Sequence, residues 1–250
     1  MIDGTLPSPF RVIAYEAVGS TNDELKRVAR AGESEGLIIR ADRQTSGRGR
    51  RGRVWASPPG NLYSSTLLRP RCRPAEAAQL GFVAALAVAA AIGELAPAVT
   101  ISCKWPNDLL ANGKKVAGIL LESEMVAGDR PDFVILGVGV NLASSPAETS
   151  YPATSLAQEE AGEIAPATML TAFIGRLAEW LKVWREGGFA PIREAWLARA
   201  IGLGEPIRVR LERGTLDGRF LDLDDDGALL LDSAGGRRRI AAGEIFPVAA

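Results

Sequence analysis

The densest group of residues suited to chemistry is a segment in which arginine alternates with glycine. Four arginines and three glycines occupy positions 47–53, Gln44 precedes them, and Trp55 follows. A guanidinium presents a planar fork of donors that fits carboxylate and phosphate oxygens. Glycine lets the backbone approach a ligand closely and adopt positive φ. This arginine loop (residues 44–55) therefore predicts a segment that closes over an anion, with an indole available to stack on a flat ring.

Two other interpretations of the arginine loop are open from its composition. Runs of arginine often form solvated surfaces or nonspecific nucleic-acid patches. The glycines at 47, 49 and 52 also match the dinucleotide-binding spacing, which requires a strand before them and a helix after them. A strand is predicted at 37–39, but the Ala-Ser-Pro-Pro-Gly run at 56–60 does not predict a helix. The pattern therefore disfavours a Rossmann nucleotide site.

A second group of residues suited to chemistry is a pair on a predicted β-hairpin. Asn112 and Gly113 are a strong signal for a two-residue turn, which would place Leu110 opposite Lys115. Asp108 then shares a face with Lys115 as its diagonal neighbour, with roughly 7 Å between the Cβ atoms. An acid and an amine on one face indicate either a weak surface ion pair or part of a site.

Composition excludes several classes of chemistry. The chain has 250 residues and no histidine, which excludes histidine-dependent triads and most zinc sites. Its 29 basic and 30 acidic residues nearly balance, so the charge of the arginine loop is local and favours a small anion over a polyanion. Two cysteines, Cys72 and Cys103, without metal-ligand spacing suggest a reducing, cytoplasmic compartment. The N-terminus lacks the features of a signal peptide. The apolar run 80–93 is short for a bilayer and predicts a buried helix.

The remaining pattern predicts elements that could position these residues. Strands are expected at 11–15, 37–39, 61–68, 100–111, 114–122 and 132–142, and helices over 21–32, 74–94, 169–184 and 191–200. Thr21 and Glu24 match a capping box, although the same start of a helix could hold a polar ligand group. Gly137 and Gly139 interrupt an apolar strand, which indicates a bulge or a place where ligand or backbone comes close. Residues 205–242 alternate as short strands separated by turns and predict a small barrel-like β module.

Four of these segments resemble, in order, the motifs of biotin protein ligases. They are the arginine loop at 47–55, the Lys-Trp-Pro-Asn-Asp run at 104–108, the Lys-Val-Ala-Gly-Ile-Leu run at 115–120 and the Gly-Val-Gly-Val-Asn run at 137–141, with Ser-Thr-Asn at 20–22 before them. The resemblance covers nearly the whole chain. It implies an α+β fold with a mixed or antiparallel sheet packed against helices, the class II synthetase-like biotin/lipoate ligase fold, plus a small C-terminal SH3-like β-barrel. The expected domains are 1–202, catalytic, and 203–250, SH3-like.

The resemblance also implies an activity and partners. Such an enzyme activates biotin with ATP and Mg²⁺ to biotinyl-5′-adenylate and transfers the biotin to one lysine of a biotin carboxyl carrier protein. The acceptor would belong to acetyl-CoA carboxylase or to another biotin-dependent carboxylase. Because the catalytic motifs begin close to Met1, a monofunctional ligase without sequence-specific DNA binding is expected. No membrane association is expected, and a homodimer is left open.

Roles for particular residues follow from the same resemblance. The catalytic residues would be Lys115, Arg50, Arg53 and Asp108. Biotin would be bound by Ser20, Thr21, Asn22, Gln44, Arg48, Gly49, Arg50, Lys115, Gly118, Leu120 and Gly137. The nucleotide would be bound by Arg50, Arg53, Trp55, Asn107, Lys115 and Asn141, with no metal ligand assigned from the protein alone.

Within these sets, the resemblance implies individual contacts. Lys115 would contact the biotin carboxylate and the α-phosphate, and Trp55 would stack on adenine. Asn107 and Asn141 would face the nucleotide and its magnesium. Asp108 would orient or deprotonate the acceptor lysine. The arginine loop is expected to be mobile without ligand and closed in the adenylate complex.

Two alternative functions remain at this point. A lipoate or octanoate ligase or transferase would share the fold, but the arginine loop and the 104–108 run argue against it. A nonenzymatic RNA-binding protein could use the arginine loop and the β module, and it would bind RNA in a salt-sensitive way. That function leaves Asp108, Lys115 and the strand glycines unexplained.

Overall fold

The computed structural model describes residues 5–125, 130–147, 149 and 151–247, so the predictions made for the first four residues lie outside it. Its larger sheet has seven strands in the order β1-β2-β3-β7-β6-β5-β4. These strands are β1 (Arg11–Val18), β2 (Leu37–Gln44), β3 (Leu62–Leu68), β4 (Ile101–Lys104), β5 (Asp108–Ala111), β6 (Lys114–Glu124) and β7 (Phe133–Val140). The helices are α1 (Thr21–Arg30), α2 (Pro74–Ala78), α3 (Leu80–Leu95), α4 (Pro166–Gly187) and α5 (Phe189–Leu197). The predicted α+β class is confirmed.

The sheet is mixed, and its strand pairing sets the surface on which a ligand could lie. β1 runs parallel to β2 because α1 forms the connection between them, whereas the other neighbours pair antiparallel. In the pairing of β6 with β7, Gly118 lies opposite Gly139 and Leu120 lies opposite Gly137. Glycine has no Cβ, so these positions leave a depression in the sheet surface.

The helix predicted over residues 74–94 is two helices. α2 ends at Ala78, and α3 begins at Leu80 after Gln79. The Gln79 side chain is held from two directions, because it accepts from Trp184 Nε1 at 2.8 Å and donates to Asp225 O at 3.0 Å. This break is therefore set by tertiary contacts.

The buried helix predicted over the apolar run 80–93 is confirmed as α3. By length and composition alone, α2 and α3 together (Pro74–Leu95) could cross a bilayer. However, 78% of the most apolar 18-residue segment of this stretch is buried inside the protein, where α3 packs against α4 and α5. A helix that is apolar on all sides is expected in a protein interior. The stretch therefore forms the core of this fold.

The predicted capping box at the start of α1 was also wrong. Ser20 is the N-cap, with extended φ and ψ of −150° and 133°, and Thr21 is the first helical residue. No side-chain cap is formed by Ser20, and Glu24 N donates to the Ser20 carbonyl at 3.1 Å. The Thr21 hydroxyl is consequently available for contacts away from the helix.

The C-terminal residues form a second, antiparallel sheet of five strands in the order β11-β10-β9-β8-β12. Its strands are β8 (Pro206–Arg210), β9 (Thr215–Leu223), β10 (Leu229–Ser233), β11 (Gly236–Ile240) and β12 (Glu244–Pro247). Sequence analysis missed β12, which pairs with β8 and carries Glu244. The SH3-like description and the domain boundary at 202/203 stay predictions.

The turn before β10 joins the second sheet to the helices. Trp105 Nε1 donates to Gly227 O at 3.0 Å in a buried bond. Gly227 has φ +81°, and a Cβ there would overlap the Phe82 ring. Gly227 is thus required both by its backbone conformation and by the closeness of α3.

Replacing Gly227 with alanine should therefore weaken the docking of the second sheet. Gly214→Ala is the matched control, because Gly214 has φ +88° but nothing within 4 Å of an added Cβ. We expect the control to lose about 1 kcal/mol of unfolding free energy and Gly227→Ala to lose roughly 1–3 kcal/mol more through overpacking. Urea denaturation of both variants measures this difference, and equal losses would contradict the docking role.

Candidate active site

A cleft of about 440 Å³ opens above the β6–β7 surface. The arginine loop, the start of α1 and the β5–β6 hairpin form its walls, and Glu244 of the second sheet reaches its edge. Every site residue predicted from the sequence lines this cleft: Ser20, Thr21, Asn22, Gln44, Arg48, Gly49, Arg50, Arg53, Trp55, Asn107, Asp108, Lys115, Gly118, Leu120, Gly137 and Asn141. The structure therefore brings the predicted set together, while their individual roles stay predictions.

The floor of the cleft is occupied by Trp55. A Cβ on Gly118 would lie 2.9 Å from the Trp55 ring, and a Cβ on Gly139 would lie 2.7 Å from it. Among the described residues, no hydrogen-bond partner is found for the buried Trp55 Nε1. The paired glycines thus create a seat for a flat ring, and the indole fills it in this conformation. Its expected stacking on adenine stays a prediction.

Gly137 allows a different close contact, between β7 and the Asn22 side chain. A Cβ there would meet the Asn22 side-chain oxygen at 2.5 Å. Any larger residue would therefore push Asn22 away from β7. The interior glycines of the strand were correctly predicted to mark close approaches, but the approaching groups are protein side chains.

The backbone of the arginine loop folds back on itself. Gly49 N donates to Arg53 O at 2.7 Å, and Trp55 N donates to Gly47 O at 2.9 Å. A single 3-10 turn, Arg50–Gly52, forms the tip, where Arg51 has φ 56°. The loop thus has a closed conformation that its own hydrogen bonds support, and its predicted mobility without ligand stays a prediction.

Arg48 is held by protein carboxylates. Its two terminal nitrogens lie 2.6 Å from the two Asp23 oxygens, and Nη2 also lies 3.0 Å from Glu122 Oε2. The hydrogen bond with Asp23 raises the pKa of Arg48 and lowers the pKa of Asp23. Arg48 therefore pins the loop to α1 and β6. Its predicted part in binding biotin stays a prediction. Sequence analysis did not single out Asp23 or Glu122, because neither belongs to a motif.

A wall of buried polar residues lies at the start of α1. Thr21 N donates to Gln44 Oε1 at 2.9 Å, and Asn22 Nδ2 donates to Glu122 Oε2 at 2.6 Å. The Ser65 hydroxyl lies 2.5 Å from Asn22 Oδ1. Each polar group orients its neighbour, so the wall is preorganised. Sequence analysis missed Ser65. The available sequence signal was the run of two serines and a threonine at 64–66 within a predicted strand, and the structure shows that this strand is fully buried.

Arg50 is a loop arginine whose charge is available to the cleft. It donates to Asn107 Oδ1 at 3.2 Å, and no salt bridge joins it to a carboxylate among the described residues. Burial lowers the pKa of its guanidinium. A half-buried cation that lacks an ionic partner is suited to an anionic ligand.

Asp108 and Lys115 lie on one face of the hairpin, as the sequence predicted. Asn112 and Gly113 have positive φ of 48° and 81° and form the turn, and Leu110 pairs with Lys115. A bulge then shifts the register, and Lys115 Nζ reaches Asp108 Oδ1 at 2.6 Å. The Asp108 side chain is only 9% exposed, so this is not a surface pair.

A buried lysine, Lys104, was missed as a separate feature. Its side chain is 0% exposed, and Nζ lies 3.8 Å from Asp108 Oδ2 and 3.7 Å from Glu244 Oε1. The ammonium also lies 4.6 Å from the centre of the Tyr151 ring and 5.1 Å from that of Phe246. A charged residue between the apolar Cys103 and Trp105 was the only sequence signal.

Glu244 connects the second sheet to the arginine loop. Arg53 Nη2 lies 2.7 Å from Glu244 Oε2. Burial alone would raise the pKa of Glu244, but the Arg53 hydrogen bond and the nearby Lys104 outweigh it and lower that pKa. Among the described residues, five cations therefore line the cleft (Arg48, Arg50, Arg51, Arg53 and Lys115), and carboxylates hold three of them, Arg48, Arg53 and Lys115. This arrangement can bind anions and stabilise negative charge that develops between them.

Comparison with known proteins agrees with this geometry. The model of the Biotin/lipoate A/B protein ligase family matches residues 15–141, and the model of the Biotin protein ligase C terminal domain matches residues 202–246. The chain is similar to a biotin–[acetyl-CoA-carboxylase] ligase of Paracoccus denitrificans, at 44% identity over 91% of this chain and 96% of the relative. It is also similar to the bifunctional ligase/repressor BirA of Escherichia coli, at 34% identity over 94% of this chain and 73% of the relative.

A solved structure shares the fold. The biotin protein ligase from Aquifex aeolicus in complex with biotin and ATP aligns with a TM-score of 0.81 and 32% identity, and the alignment covers 94% of this chain and 97% of that one. The two family models together match most of the chain, and the relatives are at least 30% identical over almost its whole length. The chain therefore belongs to the biotin protein ligase family.

Proposed function

We propose that this chain is an ATP-dependent biotin–[biotin carboxyl carrier protein] ligase that forms AMP. The observation that carries the proposal is one cleft in which Arg50, Lys115 and Arg53 converge beside a preorganised polar wall. The names of its relatives supply the substrates, biotin and ATP, and an acceptor of the acetyl-CoA carboxylase type. A cleft that concentrates cations without histidine fits a reaction between two anions.

In the first step, a carboxylate oxygen of biotin forms a bond to the α-phosphorus of ATP. The bond from that phosphorus to the bridging oxygen breaks, and pyrophosphate leaves with the electron pair. Because carboxylate and triphosphate repel each other, catalysis depends on holding them together and offsetting their charge. Arg50 and Lys115 are the proposed groups at the reacting atoms, and Arg53 is proposed to bind the departing phosphates.

The polar wall and the glycine floor are proposed to hold the two substrates. Thr21, Asn22 and Gln44 present amide and hydroxyl groups that can pair with the polar ring of biotin. The seat above Gly118 and Gly139 accepts a flat ring. We propose that Trp55 shifts from this seat as the loop closes over ligand and then stacks on adenine.

Magnesium is proposed to enter with ATP. Mg²⁺ is commonly bound by substrate phosphates together with one or two protein oxygens, and it would offset part of their negative charge. Asn141 is the better candidate ligand, because it lines the cleft and its amide nitrogen donates to Thr154 O at 3.0 Å, while no hydrogen bond to its amide oxygen is found among the described residues. Asn107 Oδ1 already accepts from Arg50, so we assign it to positioning that arginine.

In the second step, the amine of an acceptor lysine attacks the carbonyl carbon of the adenylate, and AMP leaves with the oxygen of the broken bond. Asp108 is proposed to orient that amine and to accept its proton. Its Oδ1 becomes available when Lys115 turns toward the phosphate. An aspartate is a weak base near neutral pH, so we assign orientation as the larger part of its role.

The proposal extends to the surroundings of the enzyme. We propose a cytoplasmic location, which the low cysteine content favours. The SH3-like character of the second sheet and the domain boundary at 202/203 rest on the resemblance and are also proposals. Residues 202–246 match the model of the Biotin protein ligase C terminal domain, and this match favours biotin over lipoate or octanoate as the substrate.

The direct test of the function uses purified protein, ATP, Mg²⁺ and labelled biotin. We expect biotin-dependent exchange of pyrophosphate into ATP, because formation of the adenylate is reversible. We also expect transfer of label to a biotin carboxyl carrier domain. Exchange that depends on lipoate or octanoate instead of biotin would overturn the substrate assignment.

Substitutions on the hairpin should separate the two steps. Lys115→Ala is expected to slow adenylate formation roughly 10²–10³-fold, because a charge that stabilises the transition state is lost. Asp108→Asn should slow transfer from preformed adenylate more than it slows exchange. Lys114→Ala is the matched control, because Lys114 pairs with Glu159 at 2.8 Å outside the cleft. A loss in the control as large as that in Lys115→Ala would contradict the assignment.

Gly139→Ala should disturb the seat of Trp55. The new methyl group would overlap the indole, so we expect the arginine loop to open more often. Trypsin should then cleave at the loop arginines faster than in the unaltered protein. Gly93→Ala is the control, since nothing lies within 4 Å of an added Cβ there. Equal cleavage of the two variants would show that the seat does not hold the loop closed.

A further inference from the structure

Five alternating charges run from the hairpin to the arginine loop. Lys115 Nζ lies 2.6 Å from Asp108 Oδ1, and Asp108 Oδ2 lies 3.8 Å from Lys104 Nζ. Lys104 Nζ lies 3.7 Å from Glu244 Oε1, and Glu244 Oε2 lies 2.7 Å from Arg53 Nη2. Each carboxylate thus places one oxygen near Lys104 and the other near a cation at the edge of the cleft. We call this group the charge chain.

The cations of the charge chain differ in exposure, and hence in their ability to reorient toward a ligand. The side chains of Lys115 and Arg53 are 26% and 52% exposed and line the cleft. Lys104 is fully buried between the rings of Tyr151 and Phe246. The outer cations can therefore turn toward a ligand, whereas the central one cannot.

When the two outer cations turn toward a ligand, Asp108 and Glu244 lose their nearest counter-ions. The charge of Lys104 can offset this loss. The Asp108 and Glu244 side chains are only 9% and 11% exposed. A buried carboxylate that loses its counter-ion is strongly destabilised. If Lys115 and Arg53 move to phosphate oxygens, Lys104 remains as a fully buried cation within 4 Å of both carboxylates.

We propose that Lys104 is a positioning residue, a fixed counter-cation that releases Lys115 and Arg53 from their carboxylates to the phosphates of ATP. The inference rests on the proposed function, because that function sends Lys115 and Arg53 to the phosphates. It gives Lys104 no contact with substrate. Its effect is to lower the electrostatic cost of moving the two outer cations and to keep Asp108 in place while they move.

The environment of Lys104 supports this role. Among the described residues, Lys104 Nζ has no hydrogen-bond partner, so it acts through charge at 3.7 to 3.8 Å and is not locked to either carboxylate. Burial lowers the pKa of the Lys104 ammonium, while Asp108 and Glu244 oppose that change. Two aromatic faces add cation–π attraction.

The test compares Lys104→Met with Lys104→Arg. Methionine removes the charge and keeps an unbranched side chain, so Lys115 and Arg53 should be held more firmly by their carboxylates. We expect the KM for ATP in pyrophosphate exchange to rise roughly tenfold or more, with a matching loss of ATP affinity by calorimetry. Biotin affinity should change by less than about threefold. Arginine keeps the charge and should retain most of the ATP affinity.

Controls separate this role from packing. Lys182→Met, at an exposed position of α4, should leave exchange unchanged. Thermal unfolding without ligand should show Lys104→Met folded, because Asp108 and Glu244 then keep Lys115 and Arg53. Where the methionine variant does not fold, Lys104→Gln replaces it, with the same expected rise in the KM for ATP.

The outcomes distinguish the inference from the function on which it rests. A wild-type protein without biotin-dependent exchange would contradict the proposed function itself. Normal wild-type exchange with an unchanged KM for ATP in Lys104→Met would overturn only the role of Lys104. Equal losses in the methionine and arginine variants, accompanied by equal losses of thermal stability, would assign Lys104 to packing.

Discussion

The cleft depends on the charge chain that joins Lys115, Asp108, Lys104, Glu244 and Arg53. These residues come from the β5–β6 hairpin, β4, the second sheet and the arginine loop, so one electrostatic arrangement sets the spacing of four parts of the chain. Its stability comes from alternation, because each buried carboxylate has a cation at each oxygen. A change of any central charge would leave a buried ion with fewer partners.

The second constraint is that side chains of the protein occupy key positions within the cleft. Trp55 occupies the glycine seat, and Arg48 is paired with Asp23 and Glu122. Protein groups thus take the positions and partners that the family resemblance assigns to ligands. Under the proposed function, binding is an exchange of partners within the cleft, which would keep the cost of ordering small.

Much of the architecture could be predicted from local signals. Asn112 and Gly113 correctly located the hairpin and its register next to the turn, although the bulge between Leu109 and Leu110 was not predicted, and the glycines of β7 marked close approaches. Features that depend on distant contacts could not be predicted. The break at Gln79 depends on Trp184 and Asp225, and Glu244 reaches Lys104 only because β12 pairs with β8. The spacing of the motif at 104–108 likewise carries no sign that its lysine points into an aromatic cage.

The central claim is that ligand binding transfers cations from internal carboxylates to the substrate. A crystal structure with a nonhydrolysable biotinyl-adenylate analogue tests it most directly. The account predicts that Lys115 Nζ leaves its 2.6 Å contact with Asp108 and binds the phosphate oxygen, while Lys104 stays between Asp108 and Glu244. A bound analogue with Lys115 still paired to Asp108 would contradict it.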